Sequence, residues 1–239
     1  MQPAPSSPTL RLACHVRACN ADGQTILLDL RRNRYLGIGR QASTALAALV
    51  QGWPTSLPPN DASPAPVGEF TRQLISQGLL TDKAFGLPPA PAAEEATASL
   101  DLVDANPNAD IGARHVAHFL KSAALTAWWL RSRTLYDIAL KVAARRERLT
   151  APTPPSLEAI RVATAVYETL RPLVFTARER CLHDSLTLVC FLATQDLPSR
   201  WVVGVKTCPF GAHAWVQSGR TVLNDQHEYV RGFRPILVV

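Results

Sequence analysis

No apolar run in this 239-residue chain is long enough to cross a bilayer; the nearest, Ala-Ala-Leu-Thr-Ala-Trp-Trp-Leu at 123–130, falls far short of the roughly twenty residues a spanning helix needs. Met1 to Leu10 has neither a basic start nor an apolar core, so no secretory signal is expected there and the expected location is the cytoplasm. CxxC pairs are missing, and Cys14 with Cys19 has no second ligand pair nearby, which argues against a structural zinc site. The cysteines (Cys14, Cys19, Cys181, Cys190, Cys208) are odd in number and scattered, which argues against a disulfide framework. The net charge of +6 is mostly arginine and is dispersed, as on solvated helix faces, so no nucleic-acid surface is expected. What is present is a globular balance: with 47% apolar and 18% charged residues, the chain can bury a core in one large or two small domains.

The composition breaks between Gly86 and Asp110. Pro88-Pro89-Ala90-Pro91 and Asn106-Pro107-Asn108 show no sustained apolar period, so 85–110 reads as a linker between a small α+β module at 10–84 and a larger domain at 111–239. In the small module, strands are expected at 12–19, 25–30 and 34–38, with turns at Asn20–Gly23 and Asn33. Ser43 is the expected cap of a helix carrying Leu46, Leu49 and Val50. Thr55 to Pro66 is too rich in proline for a helix. Val67 to Leu80 resumes one, with Phe70, Leu74 and Ile75, and Gly78 as its stop. Gly37-Ile38-Gly39-Arg40-Gln41-Ala42 has the letters of a dinucleotide fingerprint, but no βαβ repeat follows, and the glycines are expected to shape a turn.

The larger domain reads as helices followed by an antiparallel sheet, an α+β order. Helices are expected at 111–133, 134–149, from a Ser156 cap with Ile160, Val162, Ala163, Val166 and Leu170 buried, and at 181–192. From Trp201 the apolar period changes to two, giving strands at 201–207, 212–217 and 221–225.

Cys181 opens the last of these helices, His213 follows on a strand, and Asp225 lies on the next. A cysteine attacks a carbonyl well only as thiolate, and a helix N-terminus stabilises that anion. Arg178 and Arg180 just ahead add positive potential. An imidazole completes the ion pair and protonates a leaving group, and a carboxylate fixes its tautomer. A three-residue loop at 218–220 would pair Gln217 with Thr221 and set His213 opposite Asp225, with β-carbons about 5 Å apart; a two-residue loop would turn Asp225 to the other face. His183 and Asp184 compete for the base and orienter roles, but successive helix positions diverge, which favours a supporting or solvated place for them. His227 is a further alternative base, Cys190 reads as a small buried hydrophobe, and Cys208 either lines a cleft or packs a turn.

Cys181-Leu182-His183-Asp184-Ser185-Leu186, Val203-Gly204-Val205, Pro209-Phe210, Ala212-His213-Ala214-Trp215-Val216 and Asn224-Asp225 together resemble the B proteins of lasso-peptide biosynthesis, transglutaminase-like cysteine proteases of the microcin-processing type. The resemblance spans roughly residues 110–230. Residues 10–84 resemble the family's N-terminal recognition element, a winged-helix relative of a quinone-cofactor chaperone, through Tyr35-Leu36-Gly37, the helix from Ser43 and Phe70 to Leu80. It implies a transglutaminase/papain-like protease domain with Cys181, His213 and Asp225 as its triad. It also implies a winged-helix-like module that captures a ribosomal precursor's leader peptide by strand addition, at Arg34, Tyr35, Leu36, Gly37, Phe70 and Leu74. The partners it implies are that precursor and an asparagine-synthetase-like cyclase. No cofactor and no metal is implied for the chain itself; any ATP dependence would come through the cyclase. The chain departs from the family at Thr55 to Pro66, where a helix is usual, and at His183-Asp184, where a basic residue is expected.

The expected chemistry is hydrolysis of the leader–core bond through a Cys181 thioester, with the Cys181 backbone N–H as an oxyanion donor. Two other readings are a transferase using the same triad on an amine, and a non-catalytic winged-helix peptide-binding module. A DNA-binding winged helix would need a basic recognition helix, whereas 67–80 has only Arg72 as a basic residue.

Overall fold

The computed structural model describes residues 10–54, 67–83, 93–102, 111–149, 156–175 and 181–239. The chain divides into two compact units, Met1–Ala90 and Pro91–Val239.

The first unit is built on two small sheets. Strands β2 (Val16–Ala21), β3 (Gln24–Asp29) and β4 (Arg34–Ile38) form an antiparallel meander with β3 in the middle. Asp22 and Gly23 both take positive φ between β2 and β3, the two-residue turn that matches the twist of paired strands. At the next turn, Asp29 accepts hydrogen bonds from the backbone N–H groups of Arg31 and Arg32, and Asn33 takes the left-handed conformation. A second sheet sets β1 (Leu10–Leu12) between β5 (Val50–Gln51) and β6 (Leu80–Thr81). Helices α1 (Arg40–Ala47) and α2 (Val67–Ser76) complete a core that includes Val16, Leu27, Ile38, Leu46, Trp53 and Leu74.

Several local expectations shift here. The helix expected to be capped by Ser43 begins at Arg40, with Gly39 as N-cap. Ser43 lies inside it, buried, with its hydroxyl 2.5 Å from that of Thr25 and accepting from the Trp53 indole at 3.0 Å. A buried hydroxyl needs such partners, so Ser43 ties α1 to β3 and to the segment after β5. Leu49 is exposed and Val50 belongs to β5, so neither continues the apolar face of α1. The G-x-G-x-x-A stretch joins β4 to α1, and no βαβ unit follows among the described residues. Thr55 to Pro66 lies outside the described residues.

The second unit packs helices α3 (Ala113–Ser132), α4 (Leu135–Leu149), α5 (Leu157–Leu170) and α6 (Cys181–Ala193) with a sheet whose strands lie in the order β11 (Arg234–Val238), β8 (Arg200–Thr207), β9 (Phe210–Ser218), β10 (Thr221–Val222), β7 (Ala98–Ser99). Ser156 caps α5, its hydroxyl accepting from Ala159 N. Val162 is exposed, unlike its expected companions Ile160, Ala163, Val166 and Leu170. From Asp184 to Ala193 every residue of α6 is buried, which makes it the central helix, against α3, α4 and α5 and against strands β8 and β9. Its sequence from Leu186 to Ala193 is apolar on nearly every side, the composition of a helix with no solvent face. Phe119, Tyr167 and Phe191 meet with ring centroids 5.6 to 6.4 Å apart and knit α3, α5 and α6 together. Trp201 at the start of the sheet donates to Ser185 at 2.9 Å, and both residues are fully buried, so α6 is keyed to β8.

In the sheet, β8 (Arg200–Thr207) and β9 (Phe210–Ser218) pair along their length. Strand β11 (Arg234–Val238), absent from the sequence reading, flanks β8. The other flank corrects the linker expectation for 85–110. Residues 93–102 belong to the second unit: β7 (Ala98–Ser99) runs parallel to β10 (Thr221–Val222), Ala96 is buried, and Gln217 donates to the Glu94 carbonyl. Small residues that cannot build a core of their own can still pair as an edge strand, because pairing uses backbone groups.

Candidate active site

Cys181 is the first residue of α6, half-buried, and lines one cleft with His213 and Asp225. Interaction with His213 is the largest influence and, with the backbone N–H groups of Ala214 and Leu182, it holds the thiol below its ordinary pKa against the opposing effect of burial. Arg178 and Arg180 lie outside the described residues.

His213 sits on β9, opposite Gly204 of β8. Its Nε2 is 2.6 Å from Oδ2 of Asp225, which leaves Nδ1 for the thiol. Burial alone would lower the imidazole pKa; the bonds to Asp225 and Cys181 outweigh it and push it up to about 9. The ring is enclosed by Trp215 (6.2 Å, stacked), which belongs to the quoted motif around His213, and by Tyr229 (5.2 Å, edge-on) and Phe233 (5.4 Å), which the sequence reading did not single out. Gly204 makes this enclosure fit: a β-carbon there would lie 2.8 Å from the Trp215 ring and 2.9 Å from Phe233 Cβ.

Asp225 reaches His213 by a route other than the expected register. Ser218 pairs with Thr221 and Val222 with Gln217, so the hairpin loop has two residues, not three. In that register Asp225 would not face His213 across a continued ladder. The ladder stops instead: β10 ends at Val222 and Leu223 N still donates to Val216 O, but Asn224 then offers its side-chain Oδ1 to Val216 N at 2.9 Å. With that side chain standing in for a strand carbonyl, the backbone bends and delivers Asp225 to the imidazole. Asp225 Oδ1 accepts from Gln226 N at 2.8 Å, which fixes the carboxylate's second oxygen.

The rival bases are engaged elsewhere. His227 Nδ1 lies 2.9 Å from the Ser99 hydroxyl and 3.1 Å from Glu228. His183 packs its ring edge-on against Phe175. Cys190 is buried, which pushes its thiol pKa up, and Cys208 is exposed in the β8–β9 turn and does not line the cleft at Cys181. Asp184 is neither solvated nor an orienter of His213. It is buried, with Oδ1 2.7 Å from the Tyr167 hydroxyl and both oxygens 3.0 Å from Nε of Arg171, at the start of a 3-10 turn (Arg171–Leu173). Together with Cys181 and His213, this pair lines a cleft of about 360 Å³ walled also by Leu100, Leu102 and Leu223.

The residues proposed to grip a peptide belong to the first unit. On β4, Arg34, Leu36 and Gly37 are exposed and Tyr35 is half-exposed; β4 pairs only with β3, so it is an edge of its sheet among the described residues. Phe70 is partly buried against the core. Leu74 is corrected: it is 1% exposed within the core and presents no surface to a ligand, because α2 turns it inward and leaves Ile75 outside. Among the described residues no cluster of three His, Cys, Asp or Glu side chains could hold a metal, and no helix is long and apolar enough to cross a membrane.

Residues 122–238 match the family model of the transglutaminase-like superfamily. The second unit therefore carries a transglutaminase-like domain, consistent with a cysteine peptidase or transferase fold. No curated protein and no solved structure matches the chain.

Proposed function

We propose that this chain is a leader peptidase of lasso-peptide biosynthesis: the first unit, as a winged-helix-like recognition element, binds the leader of a ribosomal precursor, and the second hydrolyses the leader–core bond. What supports the reading is that Cys181, His213 and Asp225 line one cleft, with His213 hydrogen-bonded to Asp225 and the Cys181 thiol pKa lowered chiefly by His213, inside a transglutaminase-like domain. The Cys181 thiolate attacks the carbonyl of the last leader residue, and the Cys181 backbone N–H donates to the oxygen that gains charge. His213, held protonated by Asp225, gives its proton to the departing amine, and a thioester forms. Water, deprotonated by His213, then cleaves the thioester and frees the leader acid and the thiol.

The exposed edge of β4 supports leader capture by strand addition, since its outer N–H and C=O groups offer a ladder to an extended peptide. Arg32, just ahead of β4, donates to the Gln77 carbonyl at the end of α2, which brackets one end of that edge. Joining recognition to chemistry raises the local concentration of a weakly bound peptide. The freed core amine would pass to an asparagine-synthetase-like cyclase in the cytoplasm.

The test incubates the purified chain with a leader–core peptide beside Cys181→Ala and reads product masses. A leader acid and a free core amine, both absent in the variant, support hydrolysis. A leader joined to an added amine would make the enzyme a transferase instead. Cleavage that survives in Cys181→Ala would remove the thiol from the mechanism, and tight leader binding without any turnover would leave a binding module.

A further inference from the structure

The cleft holds a cation that the Cys–His–Asp chemistry does not use. Arg171 opens the 3-10 turn after α5, its side chain 20% exposed, and its Nε bonds to both oxygens of Asp184. Asp184 is fixed in turn by the hydroxyl of the fully buried Tyr167, which also lies 3.0 Å from the Asp184 backbone oxygen. Asp184 follows Cys181 by three positions on α6, so the two share one helix face, and both line the cleft with Arg171. The guanidinium is thus mounted on the helix that carries the nucleophile. Nε carries the bonds to the mount, and among the described residues no hydrogen bond takes the two terminal amino groups of this cleft-lining side chain.

We propose that Arg171 is a substrate-binding residue that holds a backbone carbonyl of an extended peptide on the acyl side of the scissile bond. This rests on the peptidase reading above. The acyl side follows from the layout: His213 delivers its proton to the departing amine, so the amine side lies toward the imidazole, whereas Arg171 is anchored on the Cys181 helix. A carbonyl rather than a carboxylate follows from charge. Asp184 already balances Arg171, and Glu168 and Asp225 line the same cleft, so an anionic ligand meets an excess of carboxylates. A neutral carbonyl takes the guanidinium N–H groups without adding charge. Leu100 and Leu102, both lining the cleft, give apolar contact to the peptide's side chains.

The test compares two reagents on the full-length chain: acetyl-Leu-Ala-Ala fluoromethyl ketone, which presents backbone carbonyls to the cleft, and iodoacetamide, which does not. The readout is the ratio of their rates at Cys181, in wild type, in Arg171→Lys, and in the double variant Arg171→Gln with Asp184→Asn. The double variant removes both charges together and so leaves no unpaired buried ion that could unfold the domain. The expected result is a ratio lowered about tenfold in the double variant, the loss of one good hydrogen bond, with a smaller drop for Arg171→Lys. An unchanged ratio overturns the proposal, and so does a parallel fall of both rates, which would make Arg171 a support of the nucleophile. A wild-type protein that shows no preference for the ketone over iodoacetamide overturns it too. If a ketone with Asp in place of the second Ala gains rate, the ligand is a carboxylate and the carbonyl assignment is wrong. Ketone labelling that behaves as expected while leader–core peptide stays intact would sink leader processing and leave Arg171 as the holder of an acyl-side carbonyl for a different acyl substrate of Cys181.

Discussion

Replacing Asp225 by Asn separates the charge of that residue from its shape. The Asn oxygen can still accept from Gln226 N and keep the bend, so the perturbation falls on His213. In the native protein the His213 pKa rises from 6.5 to about 9, a preference for the charged ring of about 3 kcal/mol shared between Asp225 and Cys181. The sign is that of a raised base: the stabilisation is present in full below pH 6.5 and is lost as pH climbs through about 9. An opposite charge at hydrogen-bond distance accounts for roughly one to three pH units, so the Asn variant should titrate at least about one unit lower. Two assays read it. Imidazole signals in NMR titrations, with His213 identified among the six histidines by its loss in His213→Ala, report the pKa directly. The alkaline limb of peptide hydrolysis, expected near pH 9 in wild type, should move down with it, and turnover should fall about 100-fold or more as the general acid deprotonates. An imidazole that still titrates near 9 in Asp225→Asn would refute the assignment of Asp225 as its orienting charge.

Other perturbations test the supports around the site. In His213→Ala the Cys181 thiol loses the bond that most lowers its pKa while burial still raises it; the midpoint of iodoacetamide reactivity against pH should therefore move upward, and an unmoved midpoint would separate the two residues. Gly204→Ala drives a methyl to within 2.8 Å of the Trp215 ring, so chemical denaturation should show a loss of about 1–3 kcal/mol, together with weaker activity as the wall around His213 shifts. Tyr167→Phe removes a hydroxyl from a buried carboxylate and should cost about 1.5–3 kcal/mol by the same measurement, since its partner is charged. Asn224→Ala takes away the stand-in acceptor for Val216 N; hydrolysis should fall well beyond any loss of stability, and a fall in stability alone would show that the bend does not depend on it.

Much of the fold was legible because its elements announce themselves locally. The strand at 201–207, the Ser156 cap and the Asp22-Gly23 turn each appear within a residue or two of the expected place, although Trp201 to Val205 are all buried rather than alternating. What escaped depends on tertiary partners. Arg234–Val238 reads as a tail until β8 is there to pair with it, and residues 93–102 read as linker until β10 supplies an edge. Ser43 looked like a cap because caps favour serine; the buried hydroxyl of Thr25 and the indole of Trp53 claimed it instead. Leu74 and Ile75 are neighbours with the same chemistry, and only the helix phase decides which meets the core.

The candidate site shows the same division more sharply. Residue types were readable because the chemistry admits few: a thiol at a helix start, an imidazole on a strand, a carboxylate shortly after. Their meeting was expected for the wrong reason. In a continuous ladder only a three-residue loop sets Asp225 against His213; the actual loop has two, and by register alone the carboxylate should point away. The strand ends before the logic applies, since Asn224 takes the Val216 amide and turns the chain. Such a bend costs one pair of ladder bonds and gains a side-chain bond that restores the lost acceptor, so it carries little penalty. A register argument thus binds only as far as both strands run, and an Asn or Asp just past a short strand signals that the next side chain escapes it. Arg171 escaped for a related reason: nothing in Leu170-Arg171-Pro172 marks it, and only the fold sets its guanidinium against a carboxylate one turn beyond Cys181.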